Sequence, residues 1–99
     1  MITEIASIRI DPERADEFEA AVAKAAPLFQ SSKGCHSMSL EAVIEEPGAY
    51  NLRVLWESVE DHTEGFRSSE NFQQWRALAG PFFVEPPKVV HGETVKHYF

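Results

Sequence analysis

Four histidines, two tryptophans and a single cysteine are the side chains best equipped for chemistry in this sequence. An imidazole titrates close to neutrality, so His36, His62, His91 and His97 are each candidate proton carriers. His91, Glu93 and His97 fall on one side of an alternating segment, the kind of cluster that can hold a metal ion. At about 3.3 Å per residue, however, His91 and His97 lie roughly 20 Å apart, too far for one ion. His91 with Glu93 supplies two ligands, short of a closed zinc site. No metal site is expected unless a second chain contributes ligands. Cys35 follows Gly34, has no Cys-x-x-Cys partner, and reads as a buried, unreactive thiol. Phe72 and Trp75 are three residues apart on a helical pattern, with Phe66 just before them. Such aromatics serve as core or as the wall of a pocket.

These side chains need elements to hold them. In residues 2–10, Ile2, Glu4, Ala6, Ile8 and Ile10 alternate with Thr3, Ile5, Ser7 and Arg9, which predicts a first strand. Asp11-Pro12-Glu13 is a helix start: the carboxylate caps free N–H groups, and proline suits the first helical position. Ala15, Phe18, Val22, Ala25, Ala26 and Phe29 form an apolar stripe, so a helix runs from about 12 to 30. Pro27 is expected to kink or end it.

Residues 35–44 read as a second strand, with His36, Met38, Leu40, Ala42 and Ile44 on one side. Glu46-Pro47-Gly48 is turn chemistry, and residues 49–57 return as a third strand with Tyr50, Leu52, Val54 and Trp56 on one face. Ser58-Val59-Glu60-Asp61 has the form of a capping box that opens a helix near 59. Ser68-Ser69-Glu70 starts a second helical piece, ended by Gly80-Pro81. Residues 88–98 alternate again as a fourth strand.

The order is β-α-β-β-α-β, the ferredoxin-like α+β pattern, a four-stranded antiparallel sheet with both helices on one face. Every strand has apolar residues on both sides, so the bare face needs a cover. A second copy of the chain is the simplest one.

Composition narrows the function. The chain has 99 residues, read as a single domain over 1–99, and a net charge of −7. So acidic a chain is a poor binder of nucleic acid or of anionic membranes. One cysteine excludes an internal disulfide, and no signal-peptide or membrane-spanning pattern is present, so a cytoplasmic location is expected.

The segment Leu55-Trp56-Glu57-Ser58-Val59-Glu60-Asp61-His62, followed by Ser68-Ser69-Glu70-Asn71-Phe72-Gln73-Gln74-Trp75, resembles the antibiotic biosynthesis monooxygenase family. A strand ending in Trp-Glu-Ser, a helix with His a few residues on, and a following Phe carry the likeness. The resemblance implies a homodimeric α+β barrel with a pocket between sheet and helices. It implies a monooxygenase that attacks a quinol, phenol or polyketide-like aromatic with O2 and uses no metal, flavin or haem. In such chemistry a deprotonated phenol or enol passes an electron to O2, and the protein takes the proton and excludes water.

On that resemblance His62 is the catalytic candidate, as proton acceptor. Its structural alternative is a histidine that stabilises the strand–helix junction. Trp75, Phe72 and Phe66 are the expected walls, with Tyr50 offering a hydroxyl and His36 a polar handle. The haem-degrading branch uses an Asn on the first strand and a His after the second helix. Residues 2–10 contain no Asn and Gly80-Pro81-Phe82-Phe83 no His, so haem degradation is not expected. The rival function is a dimeric module that binds a small hydrophobic molecule without turning it over.

Overall fold

The alternation at the start of the chain becomes strand β1 (Ile2–Arg9) in the computed structural model, which describes residues 1–99. Its even-numbered residues Glu4, Ala6 and Ile8 are buried and its odd-numbered ones point away from the helices. Asp11 accepts a hydrogen bond from the Glu13 N–H at 2.9 Å, and a 3-10 turn at Pro12–Arg14 leads into helix α1 (Ala15–Gln30). Pro27 does not end α1. It removes one hydrogen bond three residues before the terminus, where few remain to be lost. Strands β2 (Cys35–Ala42) and β3 (Ala49–Trp56) form the expected hairpin. A π-helical turn (Asp61–Phe66), helix α2 (Glu70–Ala79), a 3-10 turn (Gly80–Phe82) and strand β4 (Lys88–Gly92) complete the chain.

All pairings are antiparallel and the sheet order is β2-β3-β1-β4. This is the ferredoxin-like α+β arrangement. The core lies between the sheet and the helices. Trp56, Phe18, Phe29, Leu52 and Val54 are its largest fully buried side chains. Phe29 ties the two helices to the sheet: its ring centroid is 4.7 Å from Phe66 and 5.1 Å from Trp75. Asn71 on α2 donates to the Leu28 carbonyl near the end of α1 at 3.0 Å.

Two departures from the alternation pattern matter. Cys35 pairs with Trp56 and Ser37 with Leu55, so His36 is an extra residue in a bulge. The bulge reverses the facing of the strand's first residue, and Cys35 packs with Met38 and Leu40 against the core. His36 is turned outward, where its Nε2 lies 2.6 Å from Glu57 Oε2. At the other end, β4 stops at Gly92 and residues 93–99 pair with no strand. Alternation alone does not make a strand; a neighbour must supply hydrogen bonds, and none lies beside these residues within one chain.

Gly34, just before the bulge, has φ +81°, a conformation that costs any residue with a Cβ. A Cβ there would also run into the Asp61 side chain, and the Gly34 carbonyl accepts from the Glu57 N–H at 2.7 Å. The glycine thus lets the hairpin's open end close against the π turn that carries His62.

Candidate active site

A buried carboxyl group stands at the centre of the inner sheet face. Glu4 is 5% exposed, and β1 aligns it with His91 on β4 and Val54 on β3. Trp56, two residues along β3 from Val54, is on the same face and donates its indole N–H to Glu4 Oε1 at 3.0 Å. His62 hangs above this pair from the π turn. Its Nε2 lies 3.2 Å from Glu4 Oε1 and its Nδ1 2.8 Å from Nε2 of His91. The His62 ring also stacks on Trp56, with centroids 5.4 Å apart and planes 21° from parallel.

The π turn explains how one short segment does this. Ser58 accepts from the Asp61 N–H at 3.2 Å, as its capping pattern implies. The Arg67 N–H then reaches back five residues to the His62 carbonyl at 3.1 Å. The wider turn directs both His62 and Phe66 into the protein, where each is buried, and leaves Arg67 at the rim. Ser69 caps α2 by accepting from the Phe72 N–H at 3.2 Å, which starts the helix bearing Phe72, Trp75 and Arg76.

Burial sets the charge state of the site. Desolvation is the largest effect on Glu4 and raises its carboxyl above the usual value, although the Trp56 hydrogen bond and the Arg67 charge oppose it. Desolvation lowers His62 to about 4, helped by the charges of Arg67 and His91. His62 is therefore neutral at physiological pH. A neutral imidazole donates through one nitrogen and accepts through the other. With partners near both nitrogens, His62 can take a proton on one side and release one from the other without ever carrying charge.

A cavity of about 550 Å³ opens beside these groups, a size suited to a small organic molecule. Glu4 and His62 form its polar floor, and Phe66, Phe72, Trp75 and Phe83 are among its walls. Four of the residues singled out from the sequence, His62, Phe66, Phe72 and Trp75, thus share one cavity. Two do not. Tyr50 is buried at the far end of β3, where its hydroxyl donates to Glu19 at 2.6 Å and is pushed up to about 12, first by burial and then by that carboxylate. His36 is outside through the bulge described above, against Glu57. Sequence reasoning passed over Glu4, Arg67 and Arg76, and considered His91 only as a metal ligand. For Glu4 a signal was present: a carboxylate in the middle of an apolar alternation must be buried with a partner or exposed by a break in the strand.

Comparison with known proteins gives this geometry a family. The model of the family described as antibiotic biosynthesis monooxygenase matches residues 1–78. The chain belongs to the antibiotic biosynthesis monooxygenase family. All four helical and strand elements from β1 to β3, the π turn and nearly all of α2 lie within the matched span. The uncharacterized protein YczJ of Bacillus subtilis (strain 168) is 42% identical over 95 residues, covering 96% of this chain and all of YczJ. A crystal structure from Bordetella bronchiseptica, assigned provisionally to the same family, shares 49% identity. It superposes with a TM-score of 0.94 over 96% of this chain and 97% of its own. SnoaB, a cofactor-independent oxygenase from Streptomyces nogalater, shares the fold at 13% identity, with a TM-score of 0.79 over 98% of this chain and 95% of its own. Antibiotic biosynthesis monooxygenase domains are typically dimeric. No helix is long and apolar enough to cross a membrane.

Proposed function

We propose that this chain, acting as one unit over residues 1–99, is a cofactor-independent monooxygenase that oxygenates a small quinol, phenol or polyketide-like aromatic. The observation that carries this reading is the Glu4–His62–His91 chain at the floor of an aromatic-walled cavity. A hydroxyl of the substrate gives its proton to the Glu4–His62 pair. Because His62 is held neutral, it serves as a conduit to His91, whose half-buried ring stands nearer the solvent. The carboxyl of Glu4, raised by burial, is the stronger base of the two.

The resulting anion passes one electron to O2, and the radical pair joins carbon to oxygen as a hydroperoxide. Loss of water leaves a carbonyl. For a dihydroxynaphthalene the balance is C10H8O2 + O2 → C10H6O3 + H2O. One oxygen atom enters the product and the other leaves as water, with every electron drawn from the substrate. The aromatic walls exclude water from the anion and the radical pair.

The test is O2 uptake on adding a dihydroxynaphthalene or an anthrone to the purified protein. Uptake above the uncatalysed rate, reduced on the order of 100-fold in His62→Ala, is the expected result. Equal rates in the two proteins would remove His62 from the mechanism. Absence of uptake by the parent with every such substrate would leave a binding module.

The functional unit in this reading is a homodimer, and two features support it. The outer sheet face presents Ile5 and Leu55 half-buried and Val90 51% exposed. Beyond β4, Val95, Tyr98 and Phe99 are 79% exposed or more, an apolar tail that one chain leaves uncovered. Sedimentation at micromolar concentration should give a species of twice 11.2 kDa. A stable single-chain species would contradict the dimer.

A further inference from the structure

The five arginines of the chain divide into two groups. Arg9, Arg14 and Arg53 are paired with carboxylates: Arg9 with Glu46 and Glu85, Arg14 with Glu17 at 3.0 Å, and Arg53 with Glu41 at 3.2 Å. Arg67 and Arg76 have no carboxylate oxygen within 4.0 Å, and both line the cavity beside Glu4 and His62. Acidic groups outnumber basic ones 16 to 9 in this chain, so partners are plentiful and the two unpaired guanidiniums stand out at one place. They do not owe their position to one helix face. Arg67 follows the π turn, and Arg76 comes from α2, with its guanidinium 5.9 Å from the Phe72 ring centre.

Apart from Glu4, the cavity contains no acidic side chain. Glu4 is a single carboxyl set against two guanidiniums, so the cavity keeps an excess of positive charge at the arginines. The cavity is therefore graded: a proton-accepting floor, aromatic walls, and a positively charged rim.

We infer that the natural ligand is an aromatic acid, a planar hydroxyaryl carboxylate whose carboxylate is held by Arg67 and Arg76 while its hydroxyl reaches Glu4 and His62. A guanidinium matches a carboxylate with two parallel N–H donors, which fixes orientation as well as adding affinity. The two ends of the ligand are thus told apart. The carboxylate cannot enter the floor, because Glu4 and the donor-poor apolar walls would leave it unpaired. The hydroxyl is then the group presented for deprotonation. This inference refines the oxygenase reading and depends on it only for the orientation of the hydroxyl. The binding preference stands without turnover.

The test uses redox-stable probes, so that binding is read apart from oxygenation. Isothermal titration at low ionic strength compares 1-hydroxy-2-naphthoate with 1-naphthol, on the parent protein and on Arg67→Gln/Arg76→Gln. Both arginines are at the surface, and thermal melting confirms that the double variant is folded. The acid is expected to bind the parent about tenfold or more tightly than the neutral phenol, and this preference should weaken as salt is added. In the double variant the preference should vanish, with 1-naphthol affinity unchanged. Equal affinities in the parent, an undiminished preference in the double variant, or no binding of the acid would each overturn the proposal. If the acid binds as expected while no hydroxyaryl carboxylate supports O2 uptake, the oxygenase reading fails and the ligand class stands.

Discussion

Glu4→Gln is expected to abolish most of the O2 uptake while leaving the protein at least as stable as its parent at pH 8. The amide retains an oxygen to accept the Trp56 N–H, which donates to Glu4 Oε1 at 3.0 Å, so the buried indole keeps its partner. What disappears is a group able to take a proton. General-base loss of this kind costs about 10²- to 10⁴-fold in rate.

The stability side follows from the sign of the shift. Burial raises the Glu4 carboxyl, so the folded state holds the proton more tightly than the unfolded chain. Below the unfolded value of 4.5 both states are protonated and Glu4 contributes no penalty. As the pH rises past it, the unfolded chain gains the ionised form first, and the fold is progressively disfavoured. Glutamine cannot ionise and escapes this. Urea melts of parent and variant from pH 4 to 8 should therefore converge at the acid end and separate at the alkaline end, with the variant higher. A variant that is both active and stabilised would make Glu4 a structural remnant. A variant that is destabilised throughout would mean that its carboxylate holds the fold together rather than serving chemistry. Opposite movements of activity and stability are the mark of a group retained for function.

The fold was legible in the sequence because its two periodicities are clean. Ile2 to Ile10 alternate without a break, and the stripe from Ala15 to Phe29 keeps its spacing, so burial alone selects the elements. Local features that depend on a third partner were harder to read. The bulge at His36 follows from closing the hairpin against Gly34 and Trp56, and a pattern of period two has no means of signalling the inserted residue. The tail from Glu93 to Phe99 alternates as well as β1 does, yet lacks a neighbour within the chain. Alternation reports which residues could share a face, not whether a second strand is there.

The site was legible only in half. His62, Phe66, Phe72 and Trp75 were found because they are close in sequence, on a segment whose motif carries a family likeness. Glu4 and His91 are separated from His62 by 58 and 29 residues, and only the register of β1 with β3 and β4 brings them together. Arg67 and Arg76 were passed over for a different reason. An arginine on a helix is ordinarily solvated or paired, and it becomes informative only when every other arginine proves to have a carboxylate and these two do not.

The second large effect concerns His62 itself and requires no substrate. Its ring is lowered from 6.5 to about 4 by burial and by the charges of Arg67 and His91. Above pH 6.5 the ring is neutral whether the chain is folded or not, and stability owes nothing to its titration. As the pH falls from 6.5 toward 4, the unfolded chain binds a proton that the folded chain cannot accept, so stability is lost across that interval. The full loss amounts to about 3 kcal/mol. Glu4 acts in the opposite direction over part of the same range, so the comparison is cleanest in the Glu4→Gln background, between the protein with His62 and the one carrying His62→Gln as well. The remaining carboxylates contribute alike to both and cancel in the difference. Denaturant melts should show the difference in unfolding free energy between the two to be constant above pH 6.5. Below it, the His62 protein should fall relative to the glutamine variant until about pH 4. A difference independent of pH would mean that His62 is protonated inside the fold as easily as outside it. The ring would then charge near 6.5 as an ordinary imidazole does, and His62 would hold the proton of a bound phenol itself rather than pass it on as a neutral conduit between Glu4 and His91.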